Sequence, residues 1–383
     1  MNRAWLHVTA VAVVLTSALA LRADEKTNSR LDSRSFEDLL RKAQRGDLRA
    51  QNRVGLAFAR GDVVRRDPAE AVRWFLKAAD AGDSQGQYNL GVMLYRGTGV
   101  EHNPSEAMTW FEKAAAKGVA EAQFNAGCLY ERGLGVPQNF GRALALFHEA
   151  ARQGLAAAQN NLANMYATGE GVAKDLGTAV RWFTKSAKQG DPVGEFDLAV
   201  MLWKGIGVAE DREKAAYWFE QAAQQGHARA QLMLGVAYRD GIGVRQDYQV
   251  AATWLLKAAK QGIPDAQNKL ANLYLHGFGV AVDSLQAADW FSKAAEQGNI
   301  DAQVSLAALY KAGLGVRLDL IQAYKWYRLS ERGSADQSAQ LRELVDKMSR
   351  DQIEDAERTA AQWRPNRDSR EAESMVSAAD FLE

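Results

Sequence analysis

A 36-residue unit that recurs eight times without insertion or deletion is the feature that most restricts the fold of this chain. A glycine opens each repeat, and a second glycine follows 15 residues later. The opening glycines, which number the repeats 1 to 8, are Gly46, Gly82, Gly118, Gly154, Gly190, Gly226, Gly262 and Gly298. Periods of this length are typical of solenoids, in which each repeat packs on its neighbours. The sequence therefore predicts one array over residues 46–333 in place of two or three globular domains.

Each repeat is predicted to contain two helices. In repeat 2, apolar residues recur at helical spacing over 85–96, and a second helix begins at Pro104 after the N-cap residue Asn103. All eight repeats place Asp or Asn at this cap: Asp67, Asn103, Asn139, Asp175, Asp211, Asp247, Asp283 and Asp319. Glycine ends the first helix cheaply because it adopts positive φ. Repeat 1 has Val63 where the others have their next glycine, which predicts a different turn.

Tryptophan recurs at one position of the second helix in seven repeats, and these rings are predicted to interlock in the core. They are Trp74, Trp110, Trp182, Trp218, Trp254, Trp290 and Trp326. A helix within residues 21–45, after a polar stretch, and two helices within 334–363 are predicted to cap the array, because a solenoid must cover its outermost apolar faces. Residues 364–383 are predicted to form a loose polar tail.

Residues 1–20 are predicted to be a signal peptide. Arg3 precedes a nearly apolar run, and Ala18-Leu19-Ala20 is a small-x-small cleavage signal, so cleavage is expected after Ala20 or Ala23. An uncleaved anchor is the alternative, because about 17 apolar residues is the lower limit for a membrane span. No membrane span is predicted after cleavage. The single cysteine, Cys128, argues against a disulfide scaffold and suits a periplasmic or secreted bacterial protein.

The repeats follow the pattern G-x-x-x-A-Q-x-x-L-G-x-x-Y-x-x-G-x-G-V-x-x-D-x-x-x-A-x-x-W-x-x-x-A-A, most fully over 118–151 and 226–259. This pattern resembles the Sel-one-like repeat family, a relative of tetratricopeptide repeats. The resemblance covers residues 46–333 and implies an all-α fold, a right-handed α-solenoid of antiparallel helix pairs. It also implies an adaptor or scaffold, often exported, with no universal catalytic residues. A cysteine-rich bacterial branch has been linked to β-lactam chemistry, but this chain lacks those cysteines.

Several kinds of chemistry are disfavoured by the sequence. Lysine plus arginine and aspartate plus glutamate both number 47, so bulk nucleic-acid binding is not predicted. The recurring Gly-x-Gly motifs lack the Gly-Lys-Ser/Thr that completes a phosphate loop, and they are interpreted as turns. The five histidines form no i, i+4 pair, so no metal site is predicted. We therefore predict no catalytic residues and no cofactor.

The remaining signal is a concave groove lined by the first helices. Counting each opening glycine as position one, positions four, seven, eleven and fourteen are predicted to face inward. The predicted protein-binding residues are Tyr88, Tyr95, Phe124, Asn160, Asn164, Phe196, Trp203, Arg239, Asn268 and Asn272. Rings can receive apolar side chains, and Asn can pair with the backbone of an extended peptide. The alternative is that positions seven and eleven pack between repeats, which applies to Tyr88, Phe124 and Phe196 more than to Tyr95 and Trp203.

The leading functional prediction is a non-enzymatic adaptor of the bacterial envelope that binds a protein or peptide in this groove. The first alternative is a periplasmic enzyme or glycan-binding protein related to the cell wall, which would need carboxylates or a nucleophile converging in one cleft. A second alternative is a lumenal adaptor of eukaryotic protein degradation. That alternative is disfavoured because the sequence has no Asn-x-Ser/Thr acceptor.

Overall fold

The computed structural model of the protein describes residues 33–331 and 335–366. The predicted signal peptide lies outside these residues, as does 367–383 of the predicted tail. The secondary structure of the described residues is entirely helical, with nineteen helices. The chain divides into two compact bodies, an N-terminal body that ends at Gly194 and a C-terminal body that begins at Glu195.

The helices alternate between first and second helices of successive repeats. They begin with α1 (Ser33–Gln44), α2 (Leu48–Arg60), α3 (Pro68–Asp80), α4 (Ser84–Arg96), α5 (Pro104–Ala116), α6 (Ala120–Arg132), α7 (Phe140–Arg152), α8 (Ala156–Thr168) and α9 (Leu176–Ala187). They continue with α10 (Pro192–Lys204), α11 (Arg212–Gln224), α12 (Ala228–Asp240), α13 (Tyr248–Lys260), α14 (Pro264–His276), α15 (Ser284–Glu296), α16 (Ile300–Ala312), α17 (Leu320–Ser330), α18 (Ala335–Val345) and α19 (Arg350–Gln362). Within each body, helices that follow one another along the chain pack together, as in an α-solenoid.

The helix ends follow from their capping residues. All eight predicted Asp and Asn side chains cap the second helices; for example, Asp67 accepts a hydrogen bond from the Glu70 N–H at 3.0 Å. First helices end at a left-handed glycine, such as Gly97 with φ 64°. A Cβ on Gly99 would lie 2.3 Å from the Pro68 carbonyl carbon, so the turn needs glycine where it crosses the preceding repeat. No non-glycine residue in the described part has positive φ, so the turn at Val63 differs from the others.

The deepest core residue follows the tryptophan position by one residue. These residues, all 0–4% exposed, are Phe75, Phe111, Phe147, Phe183, Phe219, Leu255, Phe291 and Tyr327. The prediction that all seven tryptophans are core residues is wrong for Trp182, Trp218 and Trp254, which are only half-buried. Their position lies at the outer edge of the second helix, where the Lys185 ammonium, for example, sits 3.8 Å from the ring centroid of Trp182.

Glutamine side chains join successive repeats. Gln87 Nε2 donates to the Ala79 carbonyl at 3.2 Å, and the same bond recurs at the glutamines of repeats 1, 3, 4, 6, 7 and 8. In repeat 5 the equivalent residue is Glu195, which is buried and accepts a hydrogen bond from Gln225 Nε2 at 2.8 Å. Such bonds satisfy buried carbonyls at helix ends and fix the register of one repeat on the next.

The C-terminal helices pack on the last repeat. Both α18 and α19 contact α17, and Ser349 begins α19 with a capping box that includes Gln352. The Tyr324 hydroxyl donates to Glu357 Oε1 at 2.6 Å. Burial, reinforced by this bond to a carboxylate, raises the pKa of Tyr324 to about 12. The Asn366 N–H then donates to the Glu296 carbonyl at 2.8 Å, which holds the end of the described chain against α15.

Candidate functional site

The predicted groove residues of the N-terminal body are mostly packing residues. Tyr88, Phe124, Asn160 and Asn164 are 1%, 0%, 1% and 8% exposed, and only Tyr95 is half-exposed. Position seven faces the second helix of its own repeat, so the ring centroids of Tyr88 and Phe111 lie 6.0 Å apart and those of Phe124 and Phe147 lie 5.7 Å apart. The expectation that position seven lines an open groove is therefore wrong, and the packing alternative describes it.

The predicted groove residues of the C-terminal body also include both buried and half-exposed side chains. Phe196, Trp203 and Asn268 are 1%, 4% and 8% exposed. The expectation that Trp203 stands on an exposed wall is wrong, because its ring packs on the edge of Phe219 at 5.8 Å and the Arg212 guanidinium lies 4.8 Å from its centroid. Arg239 and Asn272 remain half-exposed.

Position eight of the N-terminal body carries buried amides. Asn89 Nδ2 donates to Asn52 Oδ1 at 2.8 Å, and Asn161 Nδ2 lies 3.8 Å from Cys128 Sγ. Asn125 is 1% exposed and makes no side-chain hydrogen bond to the described residues. The same holds for both side-chain polar atoms of the predicted residues Asn160 and Asn164. These amides therefore lie in the packing seam between repeats.

Cys128 is not an activated nucleophile. It is 4% exposed, and burial raises the pKa of its thiol well above the ordinary value, with the charge of Glu131 adding to the effect. Reactive cysteines have lowered pKa values and access to solvent. Cys128 is therefore a small apolar residue of the core.

In repeat 7 the accessible stripe of the first helix runs through positions four, eight, eleven and fifteen. Asp265, Lys269 and Asn272 are half-buried on α14, and His276 is exposed, whereas Asn268 between them is buried. Residues at this i, i+4, i+7, i+11 spacing share one face of a helix. Lys269 was missed from the sequence because the inward stripe was placed one residue too early, at position seven.

Lys269 combines burial with a lack of direct partners. Its pKa is lowered by burial and then by the charge of Arg239, against the opposing effects of Asp265, Asp301 and Asp240. Arg239 is already engaged, since its Nε and Nη2 atoms donate to the two carboxylate oxygens of Asp240 at 2.7 and 2.8 Å.

The nearest carboxylate on the same helix is also occupied, because Asp265 accepts a hydrogen bond from Asn299 Nδ2 at 2.7 Å. Within residues 33–331 and 335–366, the Lys269 ammonium forms no hydrogen bond and no ion pair. The first-helix face of repeats 6 and 7 thus presents a partly desolvated cation beside Asn272 and Arg239. We call Arg239, Lys269 and Asn272 the Lys269 site.

The part of the chain that the structure describes contains no group of three or more His, Cys, Asp or Glu side chains placed to hold a metal ion. None of its helices has both the length and the apolar character required to cross a bilayer.

Comparison with known families gives a match over the whole array. The model of the Sel1 repeat matches residues 48–83, 84–119, 120–155, 156–191, 192–227, 228–263, 264–299 and 300–332. The chain belongs to the Sel1 repeat family. Proteins built from Sel1 repeats are generally protein-interaction scaffolds and are typically not enzymes, so a protein is the expected class of partner for this chain.

A solved structure agrees with this assignment. A Sel1 repeat protein from Oxalobacter formigenes shares 31% identity with a TM-score of 0.61, over 86% of this chain and 99% of that one. The protective antigen c5321 of uropathogenic Escherichia coli, which displays an SLR fold, shares 29% identity over 95% of this chain and 94% of its own, with a TM-score of 0.49. A comparison with curated proteins gives no significant match.

Proposed function

We propose that this Sel1 repeat protein is a non-enzymatic adaptor whose Lys269 site binds an acidic segment of a protein partner. The observation that carries the proposal is the Lys269 ammonium, which is half-buried and has a lowered pKa without a direct carboxylate partner. Desolvation without pairing is unfavourable for a charged group, and a carboxylate brought to it from outside would offset that cost.

The Lys269 ammonium favours a carboxylate over a neutral ligand. Arg239 adds positive potential, which the charges of Asp265, Asp301 and Asp240 oppose. Charge-assisted hydrogen bonds are shorter and stronger than neutral ones, and those to charged groups contribute about 1.5–3 kcal/mol. Asn272 is one helical turn from Lys269 and can accept or donate to the peptide backbone beside that carboxylate. A peptide with Asp or Glu is therefore the ligand whose chemistry fits best.

The test compares binding of acidic peptides to variants of the full chain. Fluorescein-labelled peptides rich in Asp and Glu, each with a matched Asn and Gln version, would be titrated against the protein by fluorescence anisotropy. We expect Lys269→Met to weaken the binding of an acidic peptide by about tenfold or more, and Lys269→Arg to restore much of it. Binding should also weaken with added salt.

Lys293→Met is the matched control, because Lys293 is an exposed lysine of the same body that covers Trp290 on α15. It should leave peptide binding unchanged. A direct readout is the Lys269 pKa measured by NMR, which should rise when an acidic peptide binds. Equal binding by the wild type and Lys269→Met, or equal binding of acidic and amide peptides, would reject the proposal.

Tyr95 is a separate candidate contact on the first helices of the N-terminal body. It is the one aromatic residue of the predicted set that keeps substantial exposure, and its ring lies 5.9 Å from that of His102. Half-exposed aromatic side chains are frequent anchors at interfaces. Tyr95→Ala should weaken capture of a partner without lowering the melting temperature; an early melt would instead identify the ring as a packing residue.

We further propose that the adaptor acts in the bacterial envelope. Support comes from the N-terminal sequence alone, in which a positive residue, an apolar run and a small-x-small site follow one another. A fusion of residues 1–30 to a reporter should reach the periplasm. Intact-mass measurement should find a mature chain that begins near Leu21 or Asp24, whereas a chain that retains Met1 would indicate an anchor.

A further inference from the structure

The C-terminal body exposes five large apolar side chains along the edge that carries the turns of repeats 7 and 8. We call this set the apolar edge; it consists of Phe278, Val282, Leu285, Leu314 and Leu318, which are 47%, 66%, 70%, 45% and 57% exposed. Isolated apolar side chains on a surface are ordinary, whereas a contiguous group marks a site of interaction.

One position of this edge is apolar only in the last two repeats. Val282 and Leu318 occupy position 21 of repeats 7 and 8. The same position in repeats 1 to 6 holds Arg66, His102, Gln138, Lys174, Glu210 and Gln246. The turn backbone is alike in repeats 2 to 8, so geometry does not require the change. The change from polar to apolar residues therefore affects only the side chains that this edge exposes.

Members of the edge contact the start of a neighbouring second helix. The Phe278 ring stacks on Tyr248 with centroids 5.2 Å apart and an angle of 22° between the planes. A Cβ on Gly315 would lie 2.0 Å from the Ser284 carbonyl oxygen and 3.0 Å from the Leu285 N atom. The turn that carries Leu314 therefore lies directly against the start of α15.

The chain leaves its described part at the end of α15 that lies opposite this edge. The Asn366 N–H is bonded to the carbonyl of Glu296, the last residue of α15, and Leu285 lies in the first turn of the same helix. The length of α15 is about 20 Å. Residues 367–370 follow Asn366 and span up to about 15 Å when extended, and a helix over residues 371–383 adds about 20 Å. This segment can therefore reach the apolar edge.

Residues 371–383 combine apolar and acidic side chains that complement the residues of the edge. Five of its seven apolar residues recur at i, i+3, i+4, i+7 and i+10, which places them on one face of a helix, whereas Ala378 and Phe381 lie off that face; the five are Ala372, Met375, Val376, Ala379 and Leu382. The segment also has four acidic residues and no lysine or arginine.

Two exposed arginines, Arg245 and Arg317, lie in the turns of the same edge, and neither forms an ion pair with a described residue. The nearby carboxylates of Asp247, Asp283 and Asp319 accept hydrogen bonds from backbone N–H groups as N-caps. The two guanidinium groups therefore remain available to pair with the carboxylates of residues 371–383.

We propose that residues 371–383 form an amphipathic helix that docks on the apolar edge, with the apolar stripe against Phe278, Leu285 and Leu314 and the carboxylates toward Arg245 and Arg317. Attachment through a short linker gives such a segment an effective concentration in the millimolar range, so it outcompetes other chains at ordinary protein concentrations. The docked segment would shield an apolar surface and be displaceable by a tighter ligand.

The first experiment is hydrogen exchange on the full chain, read at the amides of residues 371–383. In the wild type these amides should exchange at least about tenfold more slowly than in the triple variant Val282→Gln/Leu285→Gln/Leu318→Gln. Tyr217→Gln, which changes another exposed apolar residue of the same body, is the control and should keep the protection. Exchange in the wild type at the rate of an unstructured peptide, or protection unaffected by the triple variant, would overturn the proposal.

The second experiment identifies the contact directly. A benzophenone side chain placed at position 375 should cross-link on illumination to residues 278–318 of the same chain, at a yield that does not depend on protein concentration. The same group at position 373, on the polar face, should give much less product. Cross-links that join two copies and grow with concentration would instead show that a second chain covers the apolar edge, and would reject docking within one chain.

Discussion

Gly91 lies directly against the ring of Phe111. A Cβ built on Gly91 would come within 2.7 Å of Phe111 Cε1 and 3.3 Å of the Ala107 carbonyl oxygen. The same closeness recurs at Gly55 with Phe75 and at Gly127 with Phe147. The missing side chain thus makes the space that the most deeply buried ring of each of these repeats fills, and it sets how closely the two helices approach.

Replacing Gly91 should therefore destabilise repeat 2 in proportion to the added volume. Gly91→Ala gains about 1 kcal/mol of helix propensity but overpacks the ring, which costs about 1–3 kcal/mol, so a small net loss is expected. Gly91→Val should lose clearly more. Hydrogen exchange by segment would measure both, with the loss concentrated in repeats 1 to 3. A Gly91→Val variant as stable as the wild type would contradict this account of the contact.

Within repeat 5, the buried residue and its tryptophan neighbour should differ in importance. Phe219 is 0% exposed, whereas Trp218 is half-buried. Phe219→Ala should cost about 3–5 kcal/mol because it leaves a cavity, and Trp218→Ala should cost less because its site is open to water. Denaturant unfolding of both variants, with hydrogen exchange to locate the damage, provides the measurement. Equal costs would mean that the indole carries as much of the core as the phenyl ring.

The sequence predicted the repeat length and the capping residues because these depend on local backbone requirements. Asp or Asn before each second helix and glycine after each first helix satisfy or release backbone groups at defined positions. Such requirements place the same residue types at the same positions of every repeat, and eight copies make the pattern clear. The sequence pattern placed the deep core at the tryptophan position, one residue before its actual place. Tryptophan recurs conspicuously, whereas the buried position accepts Phe, Leu or Tyr.

The inward stripe of the first helix could not be placed correctly from the sequence for a different reason. In α4 every residue from Gly86 to Leu94 is buried. A helix that is buried all round shows little periodic alternation of polar and apolar residues, so positions seven and eight cannot be distinguished by pattern. The distinction becomes visible in repeat 7, where buried Asn268 adjoins accessible Lys269, and in repeat 1, where buried Asn52 adjoins accessible Arg53.

Replacing two buried amides of the N-terminal body should change its stability in opposite directions. Asn125 makes no side-chain hydrogen bond to a described residue, whereas Asn89 donates to Asn52. Asn125→Leu should raise stability by about 1–2 kcal/mol, because a buried polar group without a partner costs that much. Asn89→Leu should lower it, since Asn52 loses its partner. Thermal unfolding of the two variants gives the comparison, and a destabilised Asn125→Leu protein would contradict the prediction.

The folding stability of the C-terminal body should fall at acidic pH because of His227. This ring is buried and stacks on Phe196 at 4.6 Å, and its Nδ1 accepts a hydrogen bond from the Ala230 N–H at 3.2 Å. Burial, aided by the charge of Arg229, lowers the pKa of His227 to about 4, against an ordinary value of 6.5. The unfolded chain therefore binds a proton between pH 6.5 and 4 while the folded chain does not. Stability is complete above about pH 6.5 and falls as the pH decreases, by up to about 3 kcal/mol.

Replacing the imidazole should remove this dependence. His227→Asn keeps an N-cap side chain, as Asn299 does in repeat 8, but cannot take up the proton. Its melting temperature should change less than that of the wild type between pH 7 and pH 4, even if loss of the stacking on Phe196 lowers it at neutral pH. His102→Asn, which changes an exposed ring, is the control and should keep the wild-type profile. A His227→Asn protein with the full acid sensitivity of the wild type would assign that sensitivity to other groups, because only the change at position 227 removes a buried titrating ring.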